Sequence, residues 1–89
     1  MNWTLKHNNS TIECASFPFA YRTAWNLVRK AVEAKQNPAS VAKGITIHGP
    51  VNGRGERATY SYNAATELAT AQGLVTADGS LNSREFKRR

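Results

Sequence analysis

The chain has a single cysteine, Cys14, so it cannot form a disulfide within itself. Its first residues lack the apolar run of a secretory signal, and no apolar stretch approaches the roughly 20 residues that a membrane-spanning helix needs. These absences argue against a disulfide-stabilised secreted domain and against a membrane protein, and they lead us to expect a cytoplasmic protein.

Acidic residues are also scarce, and this scarcity is the main functional lead in the sequence. Twelve Lys and Arg residues stand against six Asp and Glu residues, which gives a net charge of +6 and a pI near 10.0. The excess lies in residues 1–43 and again in residues 84–89. Such a charge favours polyanionic partners, because their binding releases counterions. The alternative is that the charge only keeps the protein solvated.

Side chains suited to catalysis or metal binding are few. Cys14 falls on the apolar face of a predicted hairpin, where burial raises the pKa of a thiol and makes it inert. Together with His7 and His48 it falls short of a closed four-ligand zinc site. The carboxylates are scattered along the chain. We therefore expect no enzymatic activity, no cofactor and no bound metal.

The residues that are present suffice for one small folded domain. The chain has 89 residues, of which 40% are hydrophobic, and this length suits a single domain. Its patterns predict an α+β fold in the order ββαββα, with two antiparallel hairpins in a small sheet and a long helix packed on one face. We expect residues 1–83 to form this domain. Residues 84–89 form a basic tail that is either disordered or a last helical turn.

The first hairpin is predicted from a strict alternation of apolar and polar residues on both sides of residues 8–9. Both turn residues are Asn, which tolerates positive φ, so they can form the two-residue turn that hairpins prefer. In that register Leu5 lies opposite Ile12 and Trp3 lies opposite Cys14. All four side chains then share one face, which makes the register self-consistent.

The first helix is predicted over residues 16–36, with Ser16 as its N-cap and Pro38 just beyond its end. Residues that recur at helical spacing form one apolar stripe: Ala20, Tyr21, Ala24, Trp25, Val28, Ala31 and Val32. Polar and charged residues form the opposite face: Arg22, Asn26, Arg29, Lys30 and Glu33. A further helical turn over residues 39–43 is expected to end at Gly44.

The second hairpin is predicted from Ile45 and Ile47 in one strand and from Tyr60 and Tyr62 in the other. The loop between the strands, residues 49–57, is too rich in glycine and polar residues to form regular structure. The sequence does not determine whether the two hairpins join in one four-stranded sheet or pair with those of a second copy of the chain.

A second helix is predicted over residues 64–72, with Asn63 as its N-cap and Gly73 at its end. Its inner side is formed by Ala65, Leu68 and Ala69.

The residues expected to contact nucleic acid lie in three places: the second hairpin loop, the tail and the outer face of the first helix. They are Arg54, Arg57, Arg84, Lys87, Arg88, Arg89, Arg22, Arg29 and Lys30. Glycines beside the loop arginines let the backbone approach a polyanion closely. Each group also has an ordinary alternative as a solvated surface. Aromatic residues on the strands, such as Trp3, are better explained as core residues than as platforms for base stacking.

The charge therefore favours a small accessory protein that binds DNA or RNA through its phosphates, with little sequence specificity. The alternative is a protein-interaction module without a nucleic-acid role. Such a module would bind an acidic protein surface, or form a homodimer, by offering the edge of a hairpin for strand addition.

Overall fold

The structure is a computed structural model that describes residues 2–76 and 80–82. These residues form a two-layer α+β domain, in which two longer helices pack on one face of a four-stranded sheet and a short helix connects the halves. The elements are β1 (Trp3–His7), β2 (Ser10–Cys14), α1 (Phe17–Glu33), α2 (Pro38–Lys43), β3 (Ile45–Val51), β4 (Arg57–Ser61) and α3 (Tyr62–Ala71). The predicted fold class and the order ββαββα are confirmed.

The two hairpins join into one sheet because β1 pairs with β3. The strand order is β2-β1-β3-β4, and every neighbouring pair is antiparallel. At the centre Leu5 of β1 lies opposite Ile47 of β3, and both side chains are fully buried. Burial of two large apolar side chains at this junction favours the joined sheet over two separate hairpins.

The register predicted for the first hairpin is confirmed. Trp3 pairs with Cys14 and Leu5 pairs with Ile12 across a turn in which Asn8 has a φ of 53°. Positive φ at the first turn residue is what Asn tolerates better than most residues. Ile12 remains 36% exposed because its strand, β2, lies at the edge of the sheet.

The long helix α1 begins where the sequence predicts and ends earlier. Ser16 occupies the N-cap position, although its side chain makes no capping hydrogen bond. The last helical residue is Glu33 and not Gln36, because the chain turns at Lys35, whose φ is 58°. The apolar stripe is buried or half-buried as far as Ala31, whereas Val32 is 56% exposed and does not belong to the core. The short helix α2 ends before Gly44, as predicted.

An aromatic cluster fills the space between the sheet and the helices. The ring of Trp3 lies 5.2 Å from Phe17 and 6.3 Å from Tyr60, measured between centroids. Tyr21 stacks on Tyr62 at 6.0 Å. Burial raises the pKa of Tyr62, and the adjacent Tyr21 adds to this rise. These contacts support the core role of the strand aromatics.

The second hairpin is longer than predicted at its loop end and shorter at its other end. β3 continues to Val51 and β4 begins at Arg57, with an irregularity in pairing between His48 and Val51. The loop is therefore only residues 52–56, because a bulge lets the strands continue past Gly49. Tyr62 is the first residue of α3 and not the end of a strand.

The helix α3 is capped by a different residue from the one predicted. Ser61 is the N-cap, and its Oγ accepts a hydrogen bond of 3.3 Å from the N–H of Ala64. The helix therefore begins earlier than the predicted cap, Asn63, would allow. It ends before Gly73, whose φ is 75°, as expected for a C-terminal glycine. Its predicted inner side is confirmed in that Ala65 and Ala69 are fully buried.

Candidate nucleic-acid interface

The sheet has one face covered by α1 and α3 and one face that no helix of the described chain covers. Successive side chains of a strand point to opposite faces, and Leu5, Ile45 and Ile47 point to the helices. We call the other side the open face. The side chains on the open face, in the strand order β2, β1, β3 and β4, are Thr11 and Glu13 on β2, Thr4 and Lys6 on β1, Thr46 and His48 on β3, and Arg57, Thr59 and Ser61 on β4.

Three side chains that carry or can acquire positive charge lie on the open face. Lys6 extends from β1, His48 from β3 and Arg57 from β4, and we call them the cationic cluster. Burial lowers the pKa of His48, and the nearby charges of Lys6 and then Arg57 lower it further. Lys6 lies opposite Thr46, which is two residues before His48 on β3. Arg57 lies two residues before Thr59, the partner of His48 on β4. The two cations thus lie on either side of the imidazole.

Hydroxyl groups surround this cluster. The Nδ1 atom of His48 lies 3.2 Å from Oγ1 of Thr59, its partner on β4. Thr4 lies opposite His48 on β1, and Thr46 lies opposite Lys6 on β3. Hydroxyl and ammonium groups are the donors that proteins commonly direct at phosphate oxygens. The arrangement therefore suits the binding of phosphate groups at several points of one surface.

The loop beside the cluster has a defined conformation. The side-chain oxygen of Asn52 accepts hydrogen bonds of 2.9 Å from the N–H groups of both Arg54 and Glu56. The N–H of Asn52 donates in turn to the carbonyl of Glu56 at 2.8 Å. Gly55 adopts a φ of 79°, which few other residues adopt without strain. Arg54 thus extends from a turn whose backbone is held in place, next to the strand that carries Arg57.

The cations of α1 lie on the other side of the molecule. Arg22, Arg29 and Lys30 are exposed and point away from the sheet, because α1 packs against the sheet through the opposite side of its helix. The Nε atom of Arg29 lies 3.7 Å from a carboxylate oxygen of Glu33, and its guanidinium carbon lies 5.0 Å from the ring of Trp25. The described structure thus places the predicted site residues on two opposite faces and not in one patch.

The predicted tail contacts, Arg84, Lys87, Arg88 and Arg89, lie outside the described residues. Two residues of the cationic cluster, Lys6 and His48, were not among the predicted contacts. Strand alternation alone puts each on the polar side of its own hairpin. Their proximity depends on the pairing of β1 with β3, which no local pattern in the sequence indicates.

The three residues considered for catalysis are divided between the two faces of the sheet. Cys14 lies on the covered face, where burial raises the pKa of its thiol and the neighbouring hydroxyl of Thr23 lowers it in part. His48 lies on the open face, so the sheet separates it from this thiol. Within residues 2–76 and 80–82, no three His, Cys, Asp or Glu side chains are grouped so that they could hold a metal ion.

Among the described helices, none is both long and apolar enough to cross a membrane. Comparison of the chain with protein-family models, with curated proteins and with solved structures finds no match.

Proposed function

We propose that the protein binds the phosphate backbone of nucleic acid on the open face of its sheet. The observation that carries this proposal is the cationic cluster, in which Lys6, His48 and Arg57 lie on three neighbouring strands, on a face that no described helix covers. Charges carried by neighbouring strands of one face can contact successive phosphates of a nucleic-acid strand.

The surroundings of the cluster favour an anion over a cation. Most of the other side chains on the open face are threonine or serine, which donate hydrogen bonds to phosphate oxygens. Glu13 lies on β2, at the edge of the sheet, and pairs with Thr4. The carboxylate on the face is thus separated from His48 by the intervening strand β1. Arg54 lies in the loop next to Arg57, together with Glu56.

The proposed binding has little sequence specificity. Trp3, Tyr60 and Tyr62 belong to the covered aromatic cluster, so they are not available to stack on bases. The open face itself carries no aromatic ring apart from the imidazole of His48 among the described residues. Contacts with phosphates carry no base information, and we therefore expect similar affinities for DNA duplexes of different sequence.

The test is fluorescence anisotropy with labelled duplex and single strands of DNA and RNA over a series of salt concentrations. Affinity should fall as salt rises, since each phosphate contact releases counterions. The double variant Lys6→Gln with Arg57→Gln should lower the slope of log affinity against log salt by about 2, roughly one for each lost contact.

The matched control is Lys30→Gln with Lys35→Gln. It removes the same charge from exposed positions on and beyond α1, on the helical side of the molecule. Its slope should stay close to that of the unmodified chain. Undetectable binding at low salt, or equal losses in the two double variants, would show that the open face is not the binding surface.

A further inference from the structure

The two edges of the sheet differ in how they are protected against pairing with another strand. The edge strand β4 is interrupted by the irregularity opposite β3, it carries Arg57, and α3 begins directly after it. Bulges and charges are devices that prevent the edge of a sheet from pairing. The other edge strand, β2, pairs with β1 in an unbroken register, contains no Lys, Arg or Pro, and carries Glu13 as its one charge.

The hydrogen-bonding groups of β2 leave a regular pattern at this edge. In a hairpin with a two-residue turn, the residues that flank the turn form a hydrogen-bonded pair, here His7 and Ser10. The alternation that follows directs the N–H and C=O groups of Ile12 toward β1. Those of Thr11 and Glu13 are directed outward, away from the sheet. Within residues 2–76 and 80–82, no strand pairs with these four backbone groups, so they can accept a further strand.

Apolar side chains are exposed on the same side of the molecule. Ile12 is 36% exposed at the centre of β2. Thr23 of α1 lies near enough to Cys14 of β2 to lower the pKa of its thiol, so this flank of the helix faces the edge strand. Phe19 lies one turn before Thr23, whose hydroxyl donates to the Phe19 carbonyl, and it is 40% exposed. A strand added to β2 would cover Ile12 and bring its own apolar residue toward Phe19.

We propose that β2 is a homodimerisation edge, at which a second copy of the chain adds its own β2 in antiparallel orientation. The two-fold axis passes between the two Ile12 residues. Thr11 of each copy then lies opposite Glu13 of the other, and the outward N–H and C=O groups of these residues form four hydrogen bonds. The sheet of the dimer has eight strands.

Charge and apolar contact select this register from its neighbours. A shift that centres the axis on Glu13 places the two carboxylates opposite each other, which is unfavourable. A shift that centres it on Thr11 places Ile12 opposite Ser10 and leaves both isoleucines without an apolar partner. Only the register centred on Ile12 both separates the carboxylates and joins the isoleucines. A chain of 89 residues has a small hydrophobic core, which provides limited stability. Apolar contacts buried at the dimer edge would add to that stability.

The register can be tested by cysteine cross-linking in the full chain with Cys14→Ala as background. Ile12→Cys places two thiols at a non-hydrogen-bonded pair, where the Cα atoms are about 4.5 Å apart and a disulfide can form. Thr11→Cys is the matched control, because its two copies are offset by two residues and lie about 8 Å apart, beyond the reach of a disulfide. Mild oxidation should yield covalent dimers of the first variant and not of the second.

Sedimentation of the full chain provides a second measurement. The unmodified protein should be a dimer, and Thr11→Pro should shift it to monomer, because the substitution removes an N–H that only the partner strand uses. Proline is tolerated at such a solvent-facing edge position, and a circular dichroism spectrum would check that the fold is retained.

A monomer at every concentration examined, or equal cross-linking of the two cysteine variants, would overturn the proposal. Neither measurement involves nucleic acid. Failure of the homodimerisation proposal would therefore leave the phosphate-binding proposal unaffected, and the reverse also holds.

Discussion

The indole of Trp3 lies where a side chain on Gly49 would have to be. A Cβ atom at residue 49 would lie 3.3 Å from Cη2 of Trp3 and 3.6 Å from the Cβ of Ala58. Because β3 runs between β1 and β4, the missing side chain lets Trp3 reach across the strand and stack on Tyr60. The glycine that the sequence pattern assigns to a loop is thus a packing residue of the covered face.

This relationship predicts that Gly49→Val destabilises the protein. The added atoms would displace the Trp3 ring and separate it from Tyr60, and overpacking of this kind costs about 1–3 kcal/mol in the free energy of unfolding. Urea denaturation would measure the loss. Gly53→Val is the control, because a Cβ there meets no atom within 4 Å, and its effect should stay within about 0.5 kcal/mol. Equal stabilities of the two variants would contradict the packing role of Gly49.

The N-cap of α3 gives a second prediction. Ser61→Ala removes the hydroxyl that accepts the hydrogen bond of Ala64 N–H, and loss of a cap costs about 1 kcal/mol of stability. Asn63→Ala changes the residue that sequence reasoning chose as the cap, and it should have a smaller effect. Thermal or urea unfolding of the two variants would separate them. A larger loss from Asn63→Ala would show that the helix begins later than the structure indicates.

The pKa of His48 provides a test of the cationic cluster without any ligand. Its pKa lies below the ordinary value of 6.5 because of burial and then because of Lys6 and Arg57. Lys6→Gln should therefore raise the His48 pKa toward the ordinary value, as followed by NMR titration of the imidazole protons. Lys43→Gln, a change of equal charge on α2, should leave it unchanged. An unaltered titration in the first variant would mean that Lys6 is not near His48.

The lowered pKa of His48 also predicts how the free energy of unfolding changes with pH. The unfolded chain binds a proton at His48 at a higher pH than the folded chain does, so His48 lowers stability as the pH falls from above 6.5 through its folded pKa. Below both pKa values this effect no longer changes. Urea midpoints of the unmodified chain and of His48→Ala, compared at both ends of this range, would measure it. Phosphate binding favours the protonated, positively charged form of His48, so affinity for nucleic acid should rise as the pH falls.

The basic tail yields a further prediction about binding. Deletion of residues 84–89 removes four cations and one carboxylate. If the tail contacts phosphates together with the open face, its deletion should lower affinity for all sequences and reduce the salt dependence. Titration of one labelled duplex with the full and the truncated chain would measure both. An unchanged salt slope would assign binding to the folded domain alone.

The first hairpin and the helices illustrate what local sequence can predict. The turn at residues 8–9 and the alternation beside it suffice for the register of β1 and β2, because only one register puts the apolar side chains on one face. Helical periodicity likewise locates α1. The predictions that were wrong concern the ends of helices. Ser61 and not Asn63 caps α3, and Val32, near the end of α1, lies outside the core. Ends depend on competition among neighbouring residues and on tertiary packing, which periodicity does not describe.

The candidate site was predictable only in part. Arg57 follows from the basic composition of its loop, and the structure places it with Lys6 and His48. Nothing local links these three residues, since they occupy three strands from two hairpins. The tail residues among the predicted contacts remain a prediction from charge.

The sequence by itself determined the elements, their order and the net positive charge, because turn residues, periodicity and composition act over short distances along the chain. Only the tertiary structure decided that β1 pairs with β3, that the described cations divide between two faces, and that β2 is an edge strand of the described sheet. These outcomes depend on contacts between residues distant in sequence, whose energies are settled by burial when the sheet and helices come together.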